Sequence, residues 1–243
     1  MGLERLRSGS AGGVLTVTVS PAFAAKWLLP RIERFQAAWP ETDLRLDTSL
    51  KPVDFVAQRI DVGVRYGRGQ WPGLAAEKLM DEEVYPVCAP ALLATATLQA
   101  PGDLRGQVLI HDQSVDTSTG FASWQAWLRH AGVQGVPTDR GLRINNSAAV
   151  LQAAIDGQGV ALARSVMAHD DLAAGRLVRL FPQVRLEAAL AYDVVYRPEC
   201  LAQPKVAAFR DLTLREAHGH AYVPSDVPAF STRPWFLMPG GSH

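Results

Sequence analysis

Polar residues stand where predicted strands give way to predicted helices, and a small ligand could bind at these positions. Ser20, Pro21 and Ala22 follow the first predicted strand and open a helix, and Asn146 and Ser147 precede a second helix. Because a helix N-terminus presents free N–H groups, it can bind a carboxylate or a carbonyl oxygen without a glycine fingerprint. In both turns the polar side chain could instead do no more than cap its helix, and the two roles are compatible.

Further candidates for ligand binding lie at predicted strand ends or in a predicted crossover: Arg65, Tyr66, His111 and Tyr192. An arginine at a strand end could bind an anionic ligand through two hydrogen bonds, and a histidine could bind a ligand or sense its protonation. Each has a simpler alternative. The arginine could be a solvated loop charge, the histidine could satisfy a backbone group, and Tyr192 could be a core residue.

Other chemistry finds little support in the sequence. The 24 basic residues balance the 24 acidic ones, so the chain as a whole lacks the positive charge of a nucleic-acid-binding surface. The pair His218 and His220 is too small for a metal site, and Cys88 and Cys200 are far apart in sequence. No serine lies in a nucleophile elbow, and the acidic runs 81–83 and 170–171 resemble solvated surface. We therefore predict no enzyme, no metal, no cofactor and, without a long apolar run, no membrane span.

Short strands alternate with short helices along most of the chain, which indicates right-handed βαβ units and an α/β fold. Apolar residues at helical spacing run from Leu28 to Trp39, with a kink expected at Pro30. The alternation restarts after Pro90, so we predict two Rossmann-like lobes joined by two crossover strands near 85–88 and 190–194. The predicted boundaries are 13–88 plus 195–217 for lobe I, 89–194 for lobe II, and 218–243 for a tail of unknown role.

Three segments, in this order, resemble the effector-binding region of LysR-type transcriptional regulators: LTVTVSPAFAAKWLLPRIERFQAAWPETDLRL, DVGVRYGRGQWPGLAAEKLMDEEVYPVCAPALL and NNSAAVLQAAIDGQGVALARSVMAHDDLAAGRLVRLFP. The wording RYGRGQWPGL is most similar to the branch that contains the glycine-cleavage activator and the β-lactamase regulator. The resemblance extends over about residues 13–216. It does not include the winged helix-turn-helix with which members of this family begin, so the chain is expected to be the sensor half of a longer regulator.

The resemblance implies a fold like that of the type II periplasmic binding proteins, with a small effector in the cleft between the lobes. It also implies a bacterial, cytoplasmic homodimer that contacts DNA only through the N-terminal domain. A carboxylate or an amino-acid derivative is the expected effector, since helix N-termini and arginines flank the cleft. A solute-binding protein of a transporter would share the fold and remains the alternative, and an enzyme on the same fold is a third hypothesis.

Overall fold

The computed structural model describes residues 13–114 and 120–219, which form strands and helices in alternation. The strands are β1 (Gly13–Val19), β2 (Thr42–Thr48), β3 (Val62–Gly67), β4 (Ala75–Met80), β5 (Glu83–Cys88), β6 (Leu109–Asp112), β7 (Leu142–Ile144), β8 (Val160–Arg164), β9 (Val178–Arg179), β10 (Leu186–Glu187) and β11 (Ala191–Tyr196). The main helices are α1 (21–38), α2 (Pro90–Leu93), α3 (Trp124–His130), α4 (Ser147–Ile155), α5 (Ser165–Ala173) and α6 (Pro204–Gly219). Two 3-10 turns, Pro101–Gly106 and Pro198–Ala202, complete the described elements.

The strands form two separate sheets, as the prediction of two lobes requires. The first sheet has the order β2-β1-β3-β11-β4, and the second has the order β10-β5-β8-β6-β7 with β9 also paired to β5. Strand β1 is parallel to β2 and β3, and β6 is parallel to β7 and β8. The strands that follow the two changes of sheet, β5 and β11, are antiparallel to their neighbours. Each sheet is therefore mixed, and its parallel strands end at one common edge.

The chain changes sheet twice, through short links rather than through whole strands. It leaves the first sheet after Met80 and enters the second at Glu83, and it leaves the second after Glu187 and returns at Ala191. The sequence predicts crossovers at 85–88 and 190–194 and lobe boundaries at residues 88 and 194. In the structure β5 lies wholly in the second sheet and β11 wholly in the first. An apolar run shows that a strand is buried, but it does not show which sheet the strand joins.

Helix α1 changes its geometry along its length. It begins as an α-helical turn, Pro21–Phe23, continues as a π-helix, Ala24–Leu28, tightens to a 3-10 turn, Leu29–Arg31, and ends as an α-helix, Glu33–Ala38. The 3-10 turn contains Pro30, which lacks an N–H donor and cannot continue a regular helix. The change of geometry therefore falls where the sequence predicts a kink.

The two lobes share one apolar core. It contains Leu15, Phe23 and Trp27 from the first lobe together with Val150 and Met167 from the second. The Phe23 ring stacks on Trp27 with 4.9 Å between the ring centroids. Since the first half of α1 packs directly against α4 and α5, the space between the lobes is narrow.

Candidate functional site

A buried arginine joins the two lobes at the floor of this narrow cleft. Arg164 ends β8, and only 8% of its surface is exposed. Its Nη1 donates a hydrogen bond to the Tyr192 hydroxyl at 3.1 Å, and its Nη2 donates to Ser147 Oγ at 3.0 Å. Tyr192 belongs to β11 in the first sheet, whereas Ser147 begins α4 in the second lobe. One guanidinium group therefore contacts both lobes.

Aromatic rings enclose the guanidinium group. Arg164 Cζ lies 4.9 Å from the ring centroid of Tyr66 and 5.0 Å from that of Phe121. The Tyr66 and Tyr192 rings are themselves 4.7 Å apart. Burial alone would lower the pKa of Arg164, but interactions with Tyr192 and Glu82 raise it overall, so the side chain stays cationic. The rings favour a cation through their negative faces while they exclude water.

A carboxylate at the end of β6 is linked to this arginine through a serine. Asp112 Oδ1 accepts hydrogen bonds from the Ser114 backbone N–H at 2.8 Å and from the Ser114 hydroxyl at 2.5 Å. The Ser147 hydroxyl donates to Asp112 Oδ2 and accepts from Arg164. A small cavity of about 10 Å³ lies beside these groups, with Met167 in its wall. Space of that size suits a single water molecule.

A second carboxylate lies between the sheets. Glu82 stands in the link between β4 and β5 and is only 4% exposed. Its Oε1 accepts hydrogen bonds from the Ser165 hydroxyl at 2.7 Å and from the Val166 N–H at 2.8 Å, both at the start of α5. Burial raises the pKa of Glu82, although Arg164 and the two hydrogen bonds oppose that shift. The interpretation of run 81–83 as solvated surface is therefore wrong for Glu82, because the link passes through the interior between the lobes.

The acidic pair on α5 is also not simply solvated. Asp171 is buried, and Lys26 of α1 donates to its Oδ2 at 3.0 Å. Asp170 accepts two hydrogen bonds from Arg31 of α1, each 2.9 Å long. These ion pairs connect a helix of the first lobe with a helix of the second. Sequence patterns miss them because the partners are 139 and 145 residues apart.

Some of the residues predicted to bind the effector come together at Arg164. Tyr66, Ser147 and Tyr192 all contact it. The first turn of α1, which contains Pro21 and Ala22, packs against α4 close by.

Other predicted residues have local partners. Ser20 caps α1, since its Oγ accepts from the Phe23 N–H at 3.2 Å. Asn146 caps α4 through hydrogen bonds from the N–H groups of its first turn. His111 Nε2 contacts the carbonyl oxygen of Arg140 at 2.9 Å. These contacts match the simpler alternatives, and capping is compatible with a ligand contact at Ser20 and Asn146.

Arg65 is also engaged within the first lobe. It donates to the Ser49 carbonyl oxygen at 2.9 Å and to Thr18 Oγ1 at 2.7 Å. Burial lowers the pKa of its guanidinium group, an effect that Asp47 partly offsets. Thr18 lies near the end of β1 and Ser49 directly follows β2, so Arg65 fixes the edge of the sheet from which α1 begins.

Sequence reasoning missed the central residues of the site, Arg164 and Glu82. Arg164 could have been found by the rule that selected Tyr66, because it is a charged residue at the end of an apolar strand and directly before a helix. Glu82 offered no such signal, since it lies in an acidic run between two strands. Phe121, whose ring covers the guanidinium group, likewise lies outside the regular elements, between β6 and α3.

The remaining candidates do not form a further site in the described part of the chain. Within residues 13–114 and 120–219, no cluster of three His, Cys, Asp or Glu side chains is arranged to bind a metal ion. No helix in those two ranges is long and apolar enough to span a membrane. Cys88 and Cys200 are free and buried, and burial raises the pKa of the Cys88 thiol to about 11. His220 and the rest of the predicted tail from residue 220 onwards lie outside the described residues.

Comparison with known proteins agrees with this architecture. The family model of the LysR substrate binding domain matches residues 8–218. Over 215 residues the chain is 42% identical to the glycine cleavage system transcriptional activator of Escherichia coli strain K12, an alignment that covers 88% of this chain and 68% of that protein. Over 180 residues it is 37% identical to the HTH-type transcriptional activator AmpR of Pseudomonas aeruginosa, with 74% of this chain and 58% of that protein covered.

A solved structure shares the fold. The effector domain of the transcriptional regulator AmpR of Pseudomonas aeruginosa superposes with a TM-score of 0.69 at 32% identity, over 86% of this chain and 98% of that one. The two-lobed α/β fold of the type II periplasmic-binding-protein class is therefore confirmed, and the relatives favour a regulator over the solute-binding protein of a transporter. The chain belongs to the LysR family and is the effector-binding domain of a LysR-type transcriptional regulator.

Proposed function

We propose that this domain senses a small anionic effector, a carboxylate or an amino-acid derivative, in the cleft between its lobes. The observation that carries the proposal is the buried guanidinium group of Arg164, which contacts both lobes. Among the described residues no Asp or Glu forms a direct ion pair with it. Its nearest acidic groups act through intermediaries or at longer range: Asp112 through Ser147, and Glu82 through the field of its carboxyl group.

A carboxylate effector would give the guanidinium group of Arg164 stronger hydrogen-bond partners than it has now. The present partners of the guanidinium group are neutral hydroxyls and the thioether sulfur of Met167. Hydrogen bonds between a guanidinium group and a carboxylate are roughly twice as strong as those to neutral acceptors, and two can form side by side. Tyr66 and Ser147 contact Arg164, and Ser20 begins the helix that packs against α4; these side chains would orient the rest of the ligand. The aromatic walls would exclude water, as in most small-molecule sites.

Effector binding would regulate transcription by shifting the arrangement of the lobes. A carboxylate that binds Arg164 must compete with Tyr192 and Ser147, which belong to different lobes, for the hydrogen bonds of the guanidinium group. The shift can be no larger than the difference in effector affinity between the two arrangements. In the full-length regulator, a homodimer in the bacterial cytoplasm, this rearrangement would pass to the N-terminal DNA-binding domains. The relatives named as transcriptional activators support this assignment.

A thermal-shift screen at constant ionic strength tests the proposal. The panel pairs each small carboxylate or amino acid with its carboxamide, which removes the negative charge of the carboxylate. A ligand at about 100 times its Kd should raise Tm by roughly 5–10 °C. The shift should be absent in Arg164→Met, provided that circular dichroism shows the variant folded, and should persist in the control Arg45→Met, which removes an exposed arginine on β2.

Two results would contradict the proposal. One is stabilisation by the amides as strong as that by the carboxylates. The other is an unchanged carboxylate response in folded Arg164→Met. Ser147→Ala, which removes one partner of the guanidinium group and leaves the charge, serves as a second variant if Arg164→Met does not fold.

A further inference from the structure

Glu82 contacts both links between the sheets and the start of α5. It lies in the first link between the sheets, and its backbone carbonyl oxygen accepts a hydrogen bond at 2.8 Å from the N–H of Ala188, at the start of the second link. Its side chain accepts hydrogen bonds from Ser165 and Val166 at the start of α5. One buried residue therefore connects both links with a helix of the second lobe.

The same contacts reach the cleft arginine. Arg164 immediately precedes Ser165, so the two hydrogen bonds from Glu82 fix the backbone from which the guanidinium group extends. The Tyr192 hydroxyl, which accepts from Arg164, also interacts with the Glu82 carboxyl group. A chain of contacts thus leads from the cleft through Arg164 and Tyr192 to Glu82 and the links.

We propose that Glu82 is a positioning residue: by accepting two hydrogen bonds from the start of α5, it fixes Arg164 and the angle between the lobes. Its effect on effector binding rests on the proposed function, because it requires Arg164 to bind the effector. Its effect on the angle between the lobes does not rest on the proposed function and can be measured without any effector.

The hydrogen bonds can be separated from the charge by substitution. Glutamine at this position keeps an oxygen that can accept from Ser165 and Val166, but it removes the negative charge. Leucine has a similar size and removes both. The charged or titratable groups that face Glu82 are Arg164 on β8, Tyr66 on β3, Tyr85 on β5 and Tyr192 on β11. If hydrogen bonding positions the lobes, Glu82→Gln should behave as the wild type and Glu82→Leu should not.

Distances between spin labels on the two lobes report the lobe angle. Cysteines introduced at Val56 in the first lobe and Val108 in the second would carry the labels, since these side chains are 68% and 52% exposed. The natural thiols, Cys88 and Cys200, are buried and their pKa values are raised, so they should not react. The labelled chain is diluted with an excess of unlabelled chain, so that only distances within one chain are measured.

We expect the wild type and Glu82→Gln to give one dominant distance. Glu82→Leu should increase the population of a second distance about tenfold, which corresponds to about 1.4 kcal/mol. Ser165→Ala removes one donor to Glu82 and should give a smaller change in the same direction, which keeps the test valid if Glu82→Leu does not fold.

Glu83 provides the matched control. It is the neighbouring glutamate, and its carboxylate pairs with Arg179 and Arg185 of its own lobe. Glu83→Leu should lower stability without changing the distance distribution. The proposal is wrong if folded Glu82→Leu keeps the wild-type distribution, if Glu83→Leu changes it equally, or if Glu82→Gln changes it as much as Glu82→Leu. The last result would show that charge, rather than hydrogen bonding, positions the lobes.

Discussion

Replacing Asp170 with asparagine should weaken the connection between the lobes in a way that depends on pH. Asp170 lies on α5 of the second lobe and accepts two hydrogen bonds of 2.9 Å from Arg31 on α1 of the first. The Arg31 guanidinium group also donates to the Trp27 carbonyl oxygen and lies 5.0 Å from the Trp27 ring centroid. Arg31 is therefore held in place before it pairs with Asp170, which reduces the entropy that the ion pair costs.

The size of the effect follows from the pKa of Asp170. Burial alone would raise it, but the hydrogen bonds from Arg31 and His169 lower it from 3.8 to about 2. A shift of this size corresponds to at most about 2.5 kcal/mol. Because the side chain is 35% exposed, solvent screening reduces the contribution to about 1 kcal/mol. Since the folded pKa lies below the unfolded one, this stability is present above about pH 4 and is lost as the pH falls through 2.

Urea unfolding of the wild type and Asp170→Asn at several pH values measures this contribution. The difference in the free energy of unfolding should be about 1 kcal/mol at pH 7 and should shrink steadily below pH 4. Asp156→Asn is the control, because Asp156 is exposed and its partner Gln152 lies in the same segment. A difference that is the same at pH 7 and pH 3 would refute the ion-pair explanation, since lost packing or neutral hydrogen bonds have no such pH dependence.

Three further outcomes follow from the contacts in the two lobes. Ser20→Ala should lower the free energy of unfolding by roughly 1 kcal/mol in urea titrations, since it removes the acceptor for the Phe23 N–H. Gly159→Ala should reduce stability by more than about 1 kcal/mol and lower the yield of folded protein, because φ is +150° and a Cβ would lie 2.2 Å from the Val108 carbonyl oxygen. Glu82→Gln should gain stability relative to the wild type as the pH rises. The raised pKa of Glu82 means that its contribution is fully present below about pH 4.5 and is lost as the pH rises through the folded pKa, which unfolding curves between pH 4 and pH 8 would measure.

Part of the site follows from local sequence rules. Ser147 and Tyr66 were selected because each stands where a strand ends or a helix begins, and in a parallel sheet such ends share one edge. That rule needs only the alternation of strands and helices, which the β-branched and apolar patterns indicate. Applied to the segment VALAR before Ser165, it would also have selected Arg164.

The rest depends on partners that are remote in sequence. Glu82 and Asp171 lie in acidic runs, which are usually solvated, and each is buried here because its donors come from segments 83 and 145 residues away. The sheet changes were misplaced for a related reason. The continuous burial of β5 would be the same in either sheet, so only its pairing with β8 shows where it belongs.

The free energy of the polar contacts between the lobes is similar to what the binding of one small effector can supply. Moving a two-state equilibrium from 1:99 to 99:1 requires about 5.5 kcal/mol of difference in binding free energy. Two hydrogen bonds from a guanidinium group to a carboxylate contribute about 3–6 kcal/mol together. If the proposed effector binds Arg164 through two such bonds in one arrangement only, they supply most of that difference. Arg164 contacts Tyr192 in one lobe and Ser147 in the other, so a ligand that displaces either partner changes the balance between the lobes directly. A buried arginine with neutral partners on both sides is therefore well suited to a sensor, whereas one that formed an ion pair within a single lobe would bind the ligand without reporting it.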